Sequence, residues 1–248
     1  VEACGQAGCP VCRCVAAESR SHLAALLSEQ VTDPQSRARV RGSWGFCNWH
    51  AWMLLEIESS RFGAAILYED LMRIALRLGE GKGPPARWIA ALRRRARRSP
   101  MVERYRTRAV CAACATAAEA ERRYLHAVVR FVDDEELRAA YESSDGVCLP
   151  HLMRAVDAAT DARRVETLLD RTRVRWASLR RDLAGFVAKH DHRSRAPFTA
   201  AEAESCERAF AILAGGRGVF GNDLSGPARG GRRRALTRSS ARGEAPGR

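Results

Sequence analysis

The sequence predicts an all-α fold of duplicated helical units, each with a metal site of three Cys and one His, followed by a long C-terminal helix. Three observations lead there. Apolar residues recur at three- and four-residue spacing, and no run alternates as a half-buried strand does. Pro, Gly and Asp stand where helices would begin and end. Finally, Cys9-Pro10-Val11-Cys12 recurs as Cys111-Ala112-Ala113-Cys114, and Gly45-Phe46-Cys47-Asn48-Trp49-His50 recurs as Gly146-Val147-Cys148-Leu149-Pro150-His151.

The intervals between these anchors agree to within one residue, and the correspondence extends to positions without ligand chemistry. His22-Leu23 matches Tyr124-Leu125, Leu26-Leu27 matches Val128-Val129, and Val31-Thr32-Asp33 matches Val132-Asp133-Asp134. A repeat of about a hundred residues with apolar positions in register implies duplication of a structural unit.

In the first unit Leu23, Leu26, Leu27 and Val31 form one helical stripe. Asp33-Pro34 then supplies an N-cap with Pro at the first helical position, opening a short helix to about Arg41. Gly42 to Gly45 make the turn into the Cys47 helix. A further helix runs from Phe62 to Leu78 and stops at Gly79. Gly81 to Pro85 reads as a loop, Ala86 to Arg98 as another helix, and Ser99-Pro100 as a break. After the second unit, Val165, Leu169, Thr172, Trp176, Leu179, Leu183 and Phe186 alternate at four and three residues, a heptad seam between Ala162 and His190. A helix this long packs across both units or pairs with a second chain. Thr199 and Glu202 form a capping box for a last helix, to about Leu213, that ends at Gly215-Gly216. The organisation expected is a first metal-binding repeat over residues 1–98, a second over 99–160, the long and C-terminal helices over 161–216, and a disordered Arg/Gly-rich tail over 217–248.

With 248 residues, 46% of them apolar, the chain can bury a core without disulfides. Its net charge of +13 suggests nucleic acid as a partner, but only Lys82 and Lys189 are lysines, and Arg217 to Arg248 holds +6 of the charge in the expected tail. No apolar run is long enough to cross a membrane, and no export signal stands at the N-terminus, so a cytoplasmic protein is expected. Thiols stay reduced there, and paired cysteines then read as metal or redox sites.

Cys-x-x-Cys chelates one ion through a tight knuckle, and Cys-x-x-His on a helix puts thiolate and imidazole one turn apart. The candidate ligands are Cys9, Cys12, Cys47 and His50 for the first unit, and Cys111, Cys114, Cys148 and His151 for the second. Three thiolates and one imidazole suit structural zinc, two ions per chain, with an iron–sulfur cluster as the alternative. Sites closed within each repeat are expected because local closure costs less entropy; exchange of pairs across a pseudo-twofold axis is the other arrangement. Cys4 and Cys14 have no counterpart in the second unit, and Cys206 is expected to pack within its helix. Trp44, Trp49 and Trp52 read as a shell over the metal, Arg93 to Arg98 as a solvated helix face, and Lys189-His190-Asp191-His192-Arg193 as a helix end or a third metal locus.

The paired Cys-x-x-Cys and Gly-x-Cys-x-x-His elements, with Asp33-Pro34, Tyr124-Leu125 and the late Lys189 to Arg193 run, resemble the bacterial proteins of domain of unknown function 6062 over roughly residues 9 to 195. Ala112 replaces the Pro of that pattern in the second Cys-x-x-Cys. The resemblance implies a shared duplicated helical fold and no activity. No catalytic constellation is visible. The expected role is a non-enzymatic zinc-binding scaffold that binds another protein or a second copy of itself. The alternatives are a nucleic-acid-binding regulator using Arg-rich surfaces, a thiol-based redox or metal sensor, and an iron–sulfur protein.

Overall fold

The computed structural model describes residues 1–58, 60–79, 100–190 and 193–220, and among them holds ten α-helices and no strand. After a 3-10 turn over Glu2–Gly5 come α1 (Pro10–Glu29), α2 (Pro34–Gly42), α3 (Asn48–Leu55), α4 (Arg61–Gly79), α5 (Pro100–Arg106), α6 (Ala112–Arg130), α7 (Glu135–Ser143), α8 (Leu149–Ala158), α9 (Ala162–Lys189) and α10 (Ala200–Ala214). The expected loop at 81–85, the helix at 86–98 with its Arg run, Asp191 and His192 lie outside the described residues.

Local chemistry sets these boundaries. Asp33 accepts the Ser36 N–H at 2.7 Å and Asp134 accepts the Leu137 N–H at 2.9 Å, which starts α2 and α7 at corresponding positions of the two units. Thr199 and Glu202 close the capping box of α10 reciprocally. Gly45 and Gly146 turn the chain from a short helix into a ligand helix at φ values of +90° and +80°, where a side chain is strained.

Among the described residues the most extensive helix interface is that of the antiparallel pair α1 and α6. Tyr124 of α6 donates to Glu18 of α1 at 3.1 Å near the crossing point, while Val11 and Phe131, at opposite ends of the two helices, line the same groove. Each helix spans nearly 30 Å at 1.5 Å per residue, so its two ends sit in different cores. One core gathers Val11 and Val15 from the start of α1 with Leu125, Tyr141, Val147, Leu152 and Leu168 of the second half of the chain. The other gathers Leu23, Leu26 and Leu27 from the end of α1 with Val40, Leu54, Leu67 and Leu71, and takes Ala113 from the start of α6.

Helix α9 lies against the first of these cores with its N-terminal half, where Leu168 is buried and the Tyr141 and Thr172 hydroxyls bond at 2.6 Å. Its C-terminal half packs on α10, and Lys189 pairs with Glu202 at 2.6 Å. All seven seam residues from Val165 to Phe186 are buried or half-buried, with α6, α8 and α10 of the same chain packed against the helix. No described helix is long and apolar enough to cross a membrane.

Candidate metal centres

All eight candidate ligands converge, but not as closure within each repeat predicts. Cys9 and Cys12 meet Cys148 and His151, and Cys47 and His50 meet Cys111 and Cys114. The pairs are exchanged between the units. The reason lies in helix length. From Cys12 the chain runs out along α1 for about 30 Å and returns along α2 for only about 13 Å. The link to Cys47 then folds into a tight turn, with Trp44 and Gly45 at positive φ and the Gly45 N–H bonded to the Val40 carbonyl, instead of extending across the remaining gap. The same arithmetic holds for α6 and α7. The antiparallel pairing of α1 with α6 brings the start of each to the far end of the other, where the exchanged pair waits.

In the first site the distances from His151 Nδ1 to the sulfurs of Cys9, Cys12 and Cys148 are 3.5, 3.3 and 3.3 Å, and Cys12 lies 3.6 Å from Cys148. In the second, His50 Nδ1 lies 3.3, 3.8 and 3.4 Å from the sulfurs of Cys47, Cys111 and Cys114, and Cys114 lies 3.5 Å from Cys47. Within each group all four donor atoms fall within 4.8 Å of one another, so one ion can touch them all. Every ligand except the half-buried Cys114 is buried.

Both centres form where helix N-termini meet. Cys9, Cys47, Cys111 and Cys148 are the N-cap residues of α1, α3, α6 and α8, and Cys12, His50, Cys114 and His151 follow in the first turns. The unpaired N–H groups and the dipole at a helix start favour negative charge, which suits thiolates. Burial works against ionisation of Cys9, but hydrogen bonds from Cys12, Cys148 and His151 outweigh it and hold the thiol well below its usual range. In the second site hydrogen bonds from Cys114 and Cys47 take Cys111 down to about 3. Cys12 and Cys114 are pushed up, first by their hydrogen bonds to Cys148 and Cys111 respectively. Burial disfavours a charged His151, yet its bonds to Cys148, Cys9 and Glu121 raise it to about 11. Thiols and imidazole that share protons so closely form a donor set that a soft cation satisfies by displacing those protons.

Several residues that support the first site carry no sequence signal. Glu121 of α6 places Oε1 2.9 Å from His151 Nε2, the ring nitrogen that faces away from the sulfurs, and also pairs with Arg154. A carboxylate there orients the ring and makes Nδ1 a better donor. The corresponding position of the first unit is Ser19, so the two sites differ. Asp145, just before the Gly146 turn, is buried and accepts the Gly8 N–H at 2.7 Å and Arg208 of α10 at 2.6 and 2.8 Å. Residues 216–220, at the start of the expected tail, lie beside the two sites. The Gly216 N–H donates to Cys12 Sγ at 3.0 Å, the Phe220 ring lies 4.7 Å from the His151 ring, and Arg217 sits over Trp49 beside the second site. Residues 221–248 lie outside the described residues.

The aromatic shell also differs from expectation. Trp49 packs on the core, but Trp52 is 62% exposed because it stands on the outer face of the short helix α3. Cys206 is exposed on α10, not packed, while Cys4 is buried and Cys14 half-buried away from both tetrads. His190 stacks with Phe186 and Phe198 at the end of α9.

A protein-family model, DUF6062, described as a family of unknown function, matches residues 3–218. The chain belongs to this family. The DUF6062 match takes in all eight candidate ligands and the turn at Gly216 that reaches Cys12. No curated protein and no solved structure matches the chain.

Proposed function

We propose that each tetrad binds one zinc ion, two per chain, and that the ions clamp a non-enzymatic helical scaffold whose surface binds another protein. The observation that carries this reading is the closed shape of the two four-donor sets. Zinc bonds of about 2.3 Å to sulfur and 2.0–2.1 Å to nitrogen give tetrahedral edges of about 3.8 Å between sulfurs and 3.5 Å between sulfur and nitrogen. Spacings of 3.3 to 3.8 Å, four in each site, lie close to those edges, and every other pair of donors stays within 4.8 Å. An iron–sulfur core, which places several atoms between its ligands, needs a wider cage. Four protein donors leave no open position of the kind catalytic zinc uses.

The clamp has mechanical sense, since each ion joins the start of α1 or α6 to a helix of the other unit. Binding energy at such sites is folding energy, so loading the ions fixes the relation between the units. Trp52, Leu55 and Tyr68 stand exposed around one apolar groove between α3 and α4, surface of the kind that marks a protein contact. A cytoplasmic location, where such thiols stay reduced, fits this reading. Elemental analysis of protein purified without added metal or affinity tag tests the reading: about two zinc ions per chain are expected. Iron with sulfide, or a folded chain without metal, would contradict it.

A second reading, a thiol-based sensor, is favoured by the partial exposure of Cys114. Release of one zinc equivalent by mild peroxide, reversed by thiol, would move the assignment there.

A further inference from the structure

Between α6, α8 and the start of α9 lies a groove of about 700 Å³, on the side of Glu121 and Arg154 away from the ligand sulfurs. Its volume is that of a small-molecule site. Leu125, Val129, Ala155 and Ala158 line it with apolar surface, and Arg122, Arg130, Arg154 and Arg164 reach it from three helices. The carboxylates present are already engaged. Glu121 is held by His151 and Arg154, and Asp161 takes the Arg164 backbone N–H and pairs with its guanidinium at 3.3 Å. Among the described residues no carboxylate pairs with Arg122 or Arg130; Arg130 lies over the Phe131 ring.

This arrangement costs stability in the protein alone. Arg122, His126 and Arg130 follow one another at i, i+4 spacing on α6, which sets the two arginines on one face without an intervening acid. Arg163 and Arg164 follow the N-cap Asp161 in the first turn of α9, and Arg164, the one of the two that lines the groove, is already paired with Asp161. An anion in the groove offsets the repulsion along α6, and arginine forks suit oxyanions with two parallel hydrogen bonds.

We propose that the groove binds a small amphipathic anion: an oxyanion head, phosphate or carboxylate, held by Arg122 and Arg130, with an apolar body on the Leu125, Val129 and Ala158 floor. A long polyanion uses charge alone and leaves that floor idle.

The test is titration calorimetry of the zinc-loaded chain with decyl phosphate and with decanoate, both below micelle formation, beside inorganic phosphate. Saturable binding of one decyl phosphate or decanoate per chain is expected, and whichever binds tighter names the head group. Arg122→Ala with Arg130→Ala should weaken it by about tenfold or more, since the charge-assisted bonds to the head group are lost. Both side chains are exposed, so helicity and zinc content should not change. Ala158→Trp fills the floor without altering charge and should weaken the decyl ligands while sparing inorganic phosphate. No saturable binding, binding untouched by the arginine pair, or inorganic phosphate binding as tightly as decyl phosphate would overturn the proposal. Binding only to anionic phosphatidylglycerol vesicles or only to a single-stranded oligonucleotide would also overturn it, by assigning the charge to a surface contact.

Discussion

Replacing Arg208 by Ala should loosen the first metal site and spare the second. Arg208 reaches from α10 to Asp145 Oδ1 through Nε at 2.8 Å and Nη2 at 2.6 Å, and to Asp182 at 3.3 Å. The pair is well shielded, with side-chain exposures of 15% for Arg208 and 5% for Asp145. Asp145 also holds the Gly8 N–H next to Cys9 and begins the turn that leads to Cys148, so one carboxylate joins α10 to both halves of the site. Removing the guanidinium leaves that buried carboxylate with a single backbone donor. Breaking a buried pair in this way costs about 3–5 kcal/mol. At roughly 2–4 °C per kcal/mol for a chain of this size, the thermal midpoint should fall by about 10 °C. The assay pairs thermal circular dichroism with timed capture of metal by a chromogenic chelator. One ion should leave much faster than in the parent protein and the other at the parent rate. Adding Asp145→Asn should restore much of the lost stability, because the stranded charge is gone. A midpoint shift under about 2 °C, or equal acceleration of both ions, would refute the reasoning.

Gly218 has φ of +74°, and a Cβ there would lie 1.7 Å from a ring atom of Trp49, so Gly218→Ala must lift the segment after α10 off the ligand helices. The left-handed backbone adds about 1–2 kcal/mol and the collision about 1–3 kcal/mol, and Trp49 fluorescence should shift to the red as chelator reaches Cys12 sooner; an unchanged spectrum and release rate would show that the segment does not cover the sites. Asp70 is buried beneath Arg41, Arg37 and Arg73, and the Arg41 hydrogen bonds, at 2.5 and 3.0 Å, hold its carboxyl below the usual carboxylate range. A lowered folded value means that its stabilisation is complete above the unfolded value near 4 and is lost as pH falls through the folded one. The stability difference between the parent and Asp70→Asn, read as urea midpoints, should therefore be constant from pH 7 to 5 and shrink towards pH 3 or below, and a difference that grows on acidification would contradict the ion-pair assignment.

The helices were legible because their signals are local. Asp33-Pro34, Thr199 with Glu202, and the seam from Val165 to Phe186 each state a cap or a face within a few residues, and the helices begin and bury their faces accordingly. The candidate ligands stood out because Cys-x-x-Cys and Cys-x-x-His carry their chemistry in their spacing, and the fold gathers them into two groups. The pairing was harder, because loop entropy favours local closure and says nothing about how far a rigid helix carries the chain. Helix rise supplies that distance, and the 20-residue α1 against the 9-residue α2 already disfavours closure within the unit. Glu121, Asp145, Arg208 and Phe220 could not be read in advance. Each acts across a long sequence separation, and a lone Glu or Arg in an Arg-rich chain carries no pattern to mark it.

The exchanged pairing is the centre of the account, and metal content in paired substitutions tests it most directly. Cys12→Ser combined with Cys148→Ser damages one site twice and should leave one bound ion per chain, whereas Cys12→Ser combined with Cys47→Ser damages both sites and should leave none. The reverse result, one ion retained by the Cys12 and Cys47 pair and none by the Cys12 and Cys148 pair, would place each site within a single unit and contradict the fold's central crossing.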